Sequence, residues 1–339
     1  MCCGSDRTLD VKMAAETNLS ITSIAGLTNN PNQTITGTGA VGATVKVLDG
    51  TTLLGTTVVG SDGTWSEVVA LSGEGAHSIS AQSVGSPSVL STLMNFDGSN
   101  GWSPMSGLVS DGSGNLYGTT FGAVNGGDLA SKGTVYKLSG ANYQTFTTLV
   151  NFDGTNGANP MAGLAVDGAG TLYGTTTNGG IYGAGTVFEL SGSDHQNFTV
   201  LVNFDDANGA NINGSGPYGG LVSDNVGNLY GTTRNGGAGA GGTIFELSGS
   251  NHQIFTTLVS FLNGRNPESG LSSDGEGNLY GTTTNGGRYN EGTVFELSGA
   301  DHQTLTTLLD FNRYERIWPQ TNVISDQEGH LYGTTAGGG

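Results

Sequence analysis

The pentapeptide Leu-Tyr-Gly-Thr-Thr occurs five times, at residues 116–120, 172–176, 229–233, 279–283 and 331–335, with its leucines spaced by 56, 57, 50 and 52 residues. Self-similarity at a period of fifty-odd residues confines the chain to a repeat architecture, in which like units bury their apolar faces against one another.

Within the second copy four short runs read as strands: A over residues 161–166, B over 171–176, C over 186–190 and D over 198–204. The connections A–B and C–D are short, so all four neighbours can pair as an antiparallel meander. Repeated four-stranded units of this length are the blades of a β-propeller, and the predicted fold class is all-β. A parallel β-helix is the alternative, but its coils are shorter and need no antiparallel hairpins. In strand B, Leu172 and Tyr173 point to opposite faces, as a sheet packed between two neighbours requires. Gly163 and Gly174 let the innermost strands crowd near an axis.

Composition agrees. Glycine accounts for 61 of 339 residues, more than double the about 7% of an average protein, and charged residues are only 11% where about 25% is usual. A polar load carried by Thr, Ser and Asn suits strands and tight turns better than helices. The 28 acidic against 10 basic side chains give a net charge of −18, which repels nucleic acid and anionic membrane surfaces and leaves cations or neutral sugars as company. Cys2 and Cys3 are adjacent at the start and build no disulfide framework. No apolar run reaches the about 18 residues of a membrane span. Residues 1–16 lack the layout of a cleavable signal peptide, which points to export by a signal located elsewhere or to an incomplete sequence.

Residues 1–16 read as a flexible leader, 17–84 as a first module, 85–90 as a linker and 91–339 as the repeats. The first module alternates apolar and polar residues between turn signals, the pattern of a small antiparallel sandwich. Val45, Val47, Val58, Val69 and Ile79 are expected to face inward around Trp65. Its runs Ile-Thr-Gly-Thr-Gly (35–39), Gly-Ala-Thr-Val (42–45), Leu-Gly-Thr (54–56), Asp-Gly-Thr-Trp (62–65) and Ala-His-Ser-Ile-Ser-Ala (76–81) resemble the bacterial Ig-like modules of large surface and secreted proteins. That resemblance implies a β-sandwich spacer outside the cytoplasm, a fold with no inherent activity.

In the repeats, the run from Gly163 to Thr176 followed by Gly-Thr-Val-Phe-Glu-Leu (185–190) resembles the GloVer-type tandem repeat of bacterial proteins. Its order of elements is also similar to the NHL class of propeller repeats. The resemblance implies sorting to the cell exterior and brings no catalytic residues. The last copy carries strands A and B only, and residues 91–96 look like a lone D strand that would help to close a ring. A fifth C strand is still wanting, so the sequence reads as four complete repeats and a partial fifth, cut short from a protein with further copies.

Comparing copies separates the two ends of the sheets. From the A–B aspartate to the following leucine is five residues in every copy, and the C–D connection is eight in all four copies that have it. The D–A connection runs 12, 12, 17, 10 and 12, and B–C runs 18, 14, 14 and 14. Insertions in repeat proteins collect on the binding surface, although loop lengths also drift where nothing depends on them. The D–A/B–C face carries Trp102, Phe121, Asn178, Tyr182, Tyr218, Arg234, Arg288, Tyr289 and Trp318, aromatics and amides of the kind that stack on and hydrogen-bond to sugars or peptides.

Other candidates are local. His195, His252 and His302 recur in the constant C–D turn, one per unit, where Tyr143 replaces them in the first copy. They read as turn residues, because a metal or catalytic histidine needs partners close by. Asp111, Asp167, Asp224, Asp274 and Asp326 fit the A–B hairpins. Oxygen ligands along Gly-rich loops are how calcium is held, and Asp97, Asn100, Asp153, Asn156, Asp205 and Asn208 form a calcium candidate set set against plain turns. No nucleophile elbow, phosphate loop or zinc motif is present, and strand A offers no obvious acid pair for glycoside cleavage.

The expected function is a monomeric, non-enzymatic extracellular or cell-surface protein that binds a glycan or protein ligand through the variable face. The alternatives are a secreted carbohydrate-active enzyme, hydrolase or lyase, and a purely structural stalk.

Overall fold

The computed structural model describes residues 9–11, 19–25, 32–71, 77–84, 92–122, 132–205, 213–224, 226–262, 265–299, 301–312, 318–326 and 328–337. These fall into two compact units, Met1–Thr92 and Leu93–Gly339. Both are built from strands, and among the described residues no helix is long and apolar enough to cross a membrane.

The first unit has seven strands: β1 (Leu9–Val11), β2 (Ser20–Ala25), β3 (Asn32–Thr38), β4 (Thr44–Asp49), β5 (Thr52–Val58), β6 (Thr64–Ala70) and β7 (His77–Val84). They form two sheets, β1-β7-β4-β5 and β2-β3-β6. Ile35, Trp65 and Val69 from one sheet pack with Val45, Val47, Ile79 and Ala81 from the other in a common core. Two expectations change. The segment read as a leader contributes β1, which pairs parallel with β7; the rest of that segment and the linker at 85–90 lie outside the described residues. Val58 is exposed and Val59 is buried in its place. Cross-strand partners share a face, and the inward Val45 pairs with Thr57, so Val58 must point outward and Val59 inward.

The second unit repeats one sheet. Repeat 1 holds β8 (Val109–Ser110), β9 (Leu116–Thr120), β10 (Thr134–Ser139) and β11 (Thr145–Asn151); repeat 2 holds β12 (Ala165–Val166), β13 (Leu172–Thr176), β14 (Thr186–Ser191) and β15 (Asn197–Asn203). Repeat 3 holds β16 (Val222–Ser223), β17 (Leu229–Thr233), β18 (Ala240–Ser248) and β19 (Ile254–Leu262); repeat 4 holds β20 (Ser272–Ser273), β21 (Leu279–Thr283), β22 (Thr293–Ser298) and β23 (Thr304–Asp310). Repeat 5 contributes the hairpin β24 (Ile324–Ser325) and β25 (Leu331–Tyr332). Each complete repeat is a four-stranded antiparallel meander in the order A-B-C-D. The antiparallel ladders throughout rule out the parallel β-helix.

These sheets are propeller blades set side by side about an axis. A methyl group built on Gly163 would stand 3.5 Å from the Gly107 carbonyl, one on Gly220 3.2 Å from that of Gly163, and one on Gly270 2.8 Å from that of Gly220. The inner segments of four successive repeats therefore approach one another backbone to backbone, most tightly at Gly270, where a side chain would collide with the Gly220 carbonyl.

Each letter of the pentapeptide has its place. Leu172 packs with Tyr117, Val150 and Phe152 of the preceding blade, whereas Tyr173 packs with Leu229 and Phe245 of the following one. Gly174 lies under the ring of Phe188 and the methyls of Leu164, where a Cβ would collide. The first threonine reaches across blades: Thr119 donates to Ala162 O (3.1 Å), Thr175 to Gly219 O (3.0 Å) and Thr232 to Ser269 O (2.7 Å). The second pairs with the first threonine of strand C, as in Thr176 with Thr186 at 2.8 Å.

Strand A is two residues long rather than the six expected, because the carbonyls before it are taken by the preceding blade's threonines instead of by the ladder. A bulge recurs in the C–D ladder, between Val135 and Tyr136, Val187 and Phe188, Ile244 and Phe245, and Val294 and Phe295. It falls immediately before the aromatic that fills the interblade core, and bulges serve to re-aim such side chains. Residues 92–97 form no strand, but Phe96 sits 5.1 Å from the Tyr136 ring and 6.2 Å from Phe146. Phe152 stands in the same way to Phe188 and Phe198 of the next blade, at 5.3 and 6.2 Å.

Candidate functional site

The two rims of the repeat unit differ in what their polar groups do. At the A–B turn of repeat 3, Asp224 Oδ1 accepts from the Val226 and Asn228 amides and Oδ2 from the Asn228 side chain and the Tyr230 hydroxyl, at 2.8 to 3.0 Å. Asp111, Asp274 and Asp326 repeat the pattern. Burial favours the neutral acid of Asp111, but the Asn115 side chain, the Ser113 and Asn115 amides and the Tyr117 hydroxyl outweigh it and hold its pKa at about 2. Burial first, then the charges of Asp274 and Glu296, pushes Tyr280 up to about 12, and Tyr117, Tyr173 and Tyr230 are raised by burial and the same aspartate partnership.

The repeated histidines close this rim. His195, His252 and His302 adopt left-handed backbone conformations, with φ of 59°, 53° and 52°. Each Nε2 lies 2.8 to 2.9 Å from the carbonyl of Gly170, Gly227 or Gly277 in the A–B turn of its own blade. Each ring also rests on the tyrosine of the preceding blade: Tyr117 at 4.9 Å, Tyr173 at 5.0 Å and Tyr230 at 4.9 Å. They are turn residues, as read from the sequence, that also join blade to blade.

On the opposite rim the D–A and B–C loops of one repeat bridge each other, Trp102 with Gly122, Ala158 with Asn178 and Ser215 with Asn235. Side chains are left outward: Trp102, Tyr182 and Trp318 are 55%, 50% and 51% exposed, on three different repeats. Phe121 is half-buried, its amide donating to Ser103 O. The exposed Asn178 donates through Nδ2 to Asn159 Oδ1 at 3.3 Å. Arg288 lies over the Tyr289 ring at 5.4 Å.

Of the nine residues singled out on this face, Tyr218 and Arg234 are drawn into a larger constellation. The Arg234 guanidinium lies over the Tyr218 ring at 5.2 Å, and its Nε forms a 2.8 Å ion pair with Glu268 Oε1. Gln320 Nε2 donates to the other oxygen of Glu268 at 3.3 Å. The chain Tyr218–Arg234–Glu268–Gln320 thus spans three repeats. It borders a cleft of about 280 Å³ among the inner segments, lined also by Gly163, Gly220, Gly270 and Asn322.

Glu268 and Gln320 were not singled out from the sequence. The signal was positional. Three residues before the strand-A leucine or valine the five repeats carry Met105, Met161, Tyr218, Glu268 and Gln320, so one structural position changes from thioether to aromatic, acid and amide around the axis. Glu268 is the one carboxylate among the described residues lining the cleft, whereas glycoside cleavage ordinarily uses two.

The loops considered for calcium form hydrogen-bonded turns. Asp97 Oδ1 accepts from the Ser99 amide and hydroxyl (2.8 and 2.6 Å), and Asp153 Oδ1 from those of Thr155 (2.8 and 2.7 Å). Asn100 Oδ1 and Asn156 Oδ1 accept from the amides of these aspartates. Each loop thus brings one carboxylate, against the six to eight oxygens that calcium takes. Asp205 is described, Asn208 lies outside the described residues, and among the described residues no group of three or more His, Cys, Asp or Glu is placed to hold a metal.

A protein-family model described as the Gloeobacter/Verrucomicrobia repeat matches residues 53–261 and 211–339. No curated protein matches the chain. Among solved structures, the crystal structure of the tricorn protease is similar with a TM-score of 0.39 and 13% identity, over 67% of this chain and 20% of that one.

Proposed function

The chain belongs to the Gloeobacter/Verrucomicrobia repeat family, and we propose that it is a non-enzymatic extracellular or cell-surface protein that binds a neutral glycan on the D–A/B–C rim. The observation that carries this reading is the division of labour between the rims. One uses its tyrosines, aspartates and histidines on itself, while the other leaves Trp102, Tyr182 and Trp318 exposed, and the inner segments open a cleft that carries Tyr218, Glu268, Gln320 and Asn322. Exposed rings offer flat apolar faces for sugar rings, and amides offer both donors and acceptors to hydroxyls. The carboxylate of Glu268 is matched by Arg234, which suits an uncharged ligand. A net charge of −18 disfavours polyanionic ligands.

A glycan array probed with the whole chain is expected to show binding to neutral oligosaccharides. Trp102→Ala and Trp318→Ala should each weaken the strongest signal at least tenfold. A blank array together with blank binding to intact cells would remove the reading. Release of reducing sugar from any polysaccharide would replace it with a hydrolase or lyase.

A further inference from the structure

Two positions of the repeat change their chemistry where repeats 3 and 4 meet. The residue after the pentapeptide is Thr177 in repeat 2 and Thr284 in repeat 4. Each hydroxyl donates to a D–A loop carbonyl, Asn159 O at 2.8 Å and Asn266 O at 3.0 Å. In repeat 3 the residue is Arg234, whose amide keeps the backbone bond to the counterpart carbonyl, Gly216 O at 2.9 Å, but which has no hydroxyl to add the second bond. The other position holds Met105 and Met161 in repeats 1 and 2 and Glu268 in repeat 4. The scaffold thus gives up a bond in one repeat and takes on a carboxylate in the next, and the two departures meet in the 2.8 Å ion pair of Arg234 with Glu268. Blade packing demands neither, since other repeats carry threonine or methionine there.

The pair keeps hydrogen-bonding capacity. The guanidinium is fixed over the Tyr218 ring at 5.2 Å and at Nε by Glu268, and among the described residues neither Nη atom has a partner. Glu268 Oε2 accepts from Gln320 at 3.3 Å, and an ionised carboxylate has room for about four such bonds. A fixed guanidinium fork matches two oxygens held side by side, as on a carboxylate, a phosphate or two adjacent hydroxyls. Anions are disfavoured by Glu268 beside the fork and by the net charge of −18. Adjacent hydroxyls suit both groups, because their oxygens accept from the fork and their protons are donated to Glu268. We infer that Arg234 and Glu268 are the specificity-determining pair of the D–A/B–C rim, reading two adjacent free hydroxyls on one sugar ring. The inference rests on the glycan reading of that rim and narrows it to neutral glycans that carry such a pair.

The decisive variant is Arg234→Thr combined with Glu268→Met, which installs residues that other repeats carry and leaves no unpaired charge, so the fold should survive. On the glycan array it should lower the strongest neutral signal by about tenfold or more. Each single variant should lose nearly as much, because the two residues act as a unit. Arg234→Lys keeps the charge without the fork and should bind as poorly. Methylation of either hydroxyl of one adjacent pair on that glycan should match the loss in the parent and add nothing to it in the double variant. Parent-level binding by the double variant, or full binding by Arg234→Lys, would overturn the inference and leave the glycan reading in place. A preference for carboxylate-bearing glycans would overturn it too, and an array blank for the whole chain would remove the glycan reading with it.

Discussion

The two rims of the propeller unit are made by the same repeats yet obey different rules. On the A–B/C–D rim the connections keep one length, and one aspartate gathers two amides, a side-chain amide and a tyrosine hydroxyl in the space of seven residues, as Asp224 does. The histidine beside it ties its own blade's turn to the tyrosine of the blade before. Insertion of one residue would break several bonds at once, which is a physical reason for constant length. On the D–A/B–C rim backbone bonds tie the bases of the loops, as between Trp102 and Gly122 at 2.8 and 3.0 Å and from the Phe121 amide to Ser103 O at 3.0 Å. The spans beyond those ties can lengthen at little thermodynamic expense. Constant length thus belongs to one rim and variety to the other.

The largest test of this contrast is Asp224→Ala. It strands the Tyr230 hydroxyl and the Asn228 amide and removes bonds to a charged acceptor, so a loss of about 3 kcal/mol is expected in urea unfolding. On the same repeat but the opposite rim, Arg234→Ala removes an ion pair whose arginine side chain is 41% exposed, and about 1 kcal/mol or less is expected. Equal losses for the two variants would abolish the distinction.

Titration sharpens it, but only from the alkaline side. Acid acts on both rims, since hydrogen bonds from Ser99 and Thr155 also lower the pKa values of Asp97 and Asp153 in the D–A loops. For all these depressed aspartates the contribution is full above the unfolded pKa of about 3.9. It fades as pH falls through the folded values, about 2 for Asp111. The tyrosines raised by burial together with an aspartate partner belong to the constant rim, whereas Tyr136, raised by burial, lies in the interblade core. Tyr280, held up to about 12, contributes fully below the unfolded pKa of about 10 and loses that contribution as pH climbs through 12. Tyr280→Phe should cost about 1 kcal/mol at neutral pH and flatten the decline in melting temperature between about pH 9 and 12. A decline as steep as in the parent would mean that the tyrosines do not carry the alkaline limb.

How much of this could be read beforehand follows from the range of each interaction. The opposite facing of Leu172 and Tyr173 is a consequence of strand period alone, and it was legible. So was the C–D turn position of His195, since its left-handed backbone and its neighbours are local. Its bond to Gly170 O, across 25 residues, is set by blade geometry and had no local signature. Val58 was misassigned because parity depends on the partner strand, and the β4–β5 ladder shifts register between Val47 and Leu48. Arg234 and Tyr218 could be placed on one rim by counting. Glu268 became visible only when the inner segments of successive repeats came together at an axis.

The smallest stability effect is expected at the exposed rings of the proposed ligand face. Trp102 is 55% exposed, and its recorded bonds are the backbone pair with Gly122, which alanine preserves. Trp102→Ala should therefore move the unfolding free energy by less than about 0.5 kcal/mol, a shift of at most a few degrees in melting temperature. The same is expected of Tyr182→Ala, whose side chain is 50% exposed. An exposed ring whose removal leaves folding unchanged is what the proposed ligand face requires. If either variant instead unfolds as readily as Asp224→Ala, these rings are structural, and the loop rim would have to be regarded as a second scaffold rather than as the proposed ligand face.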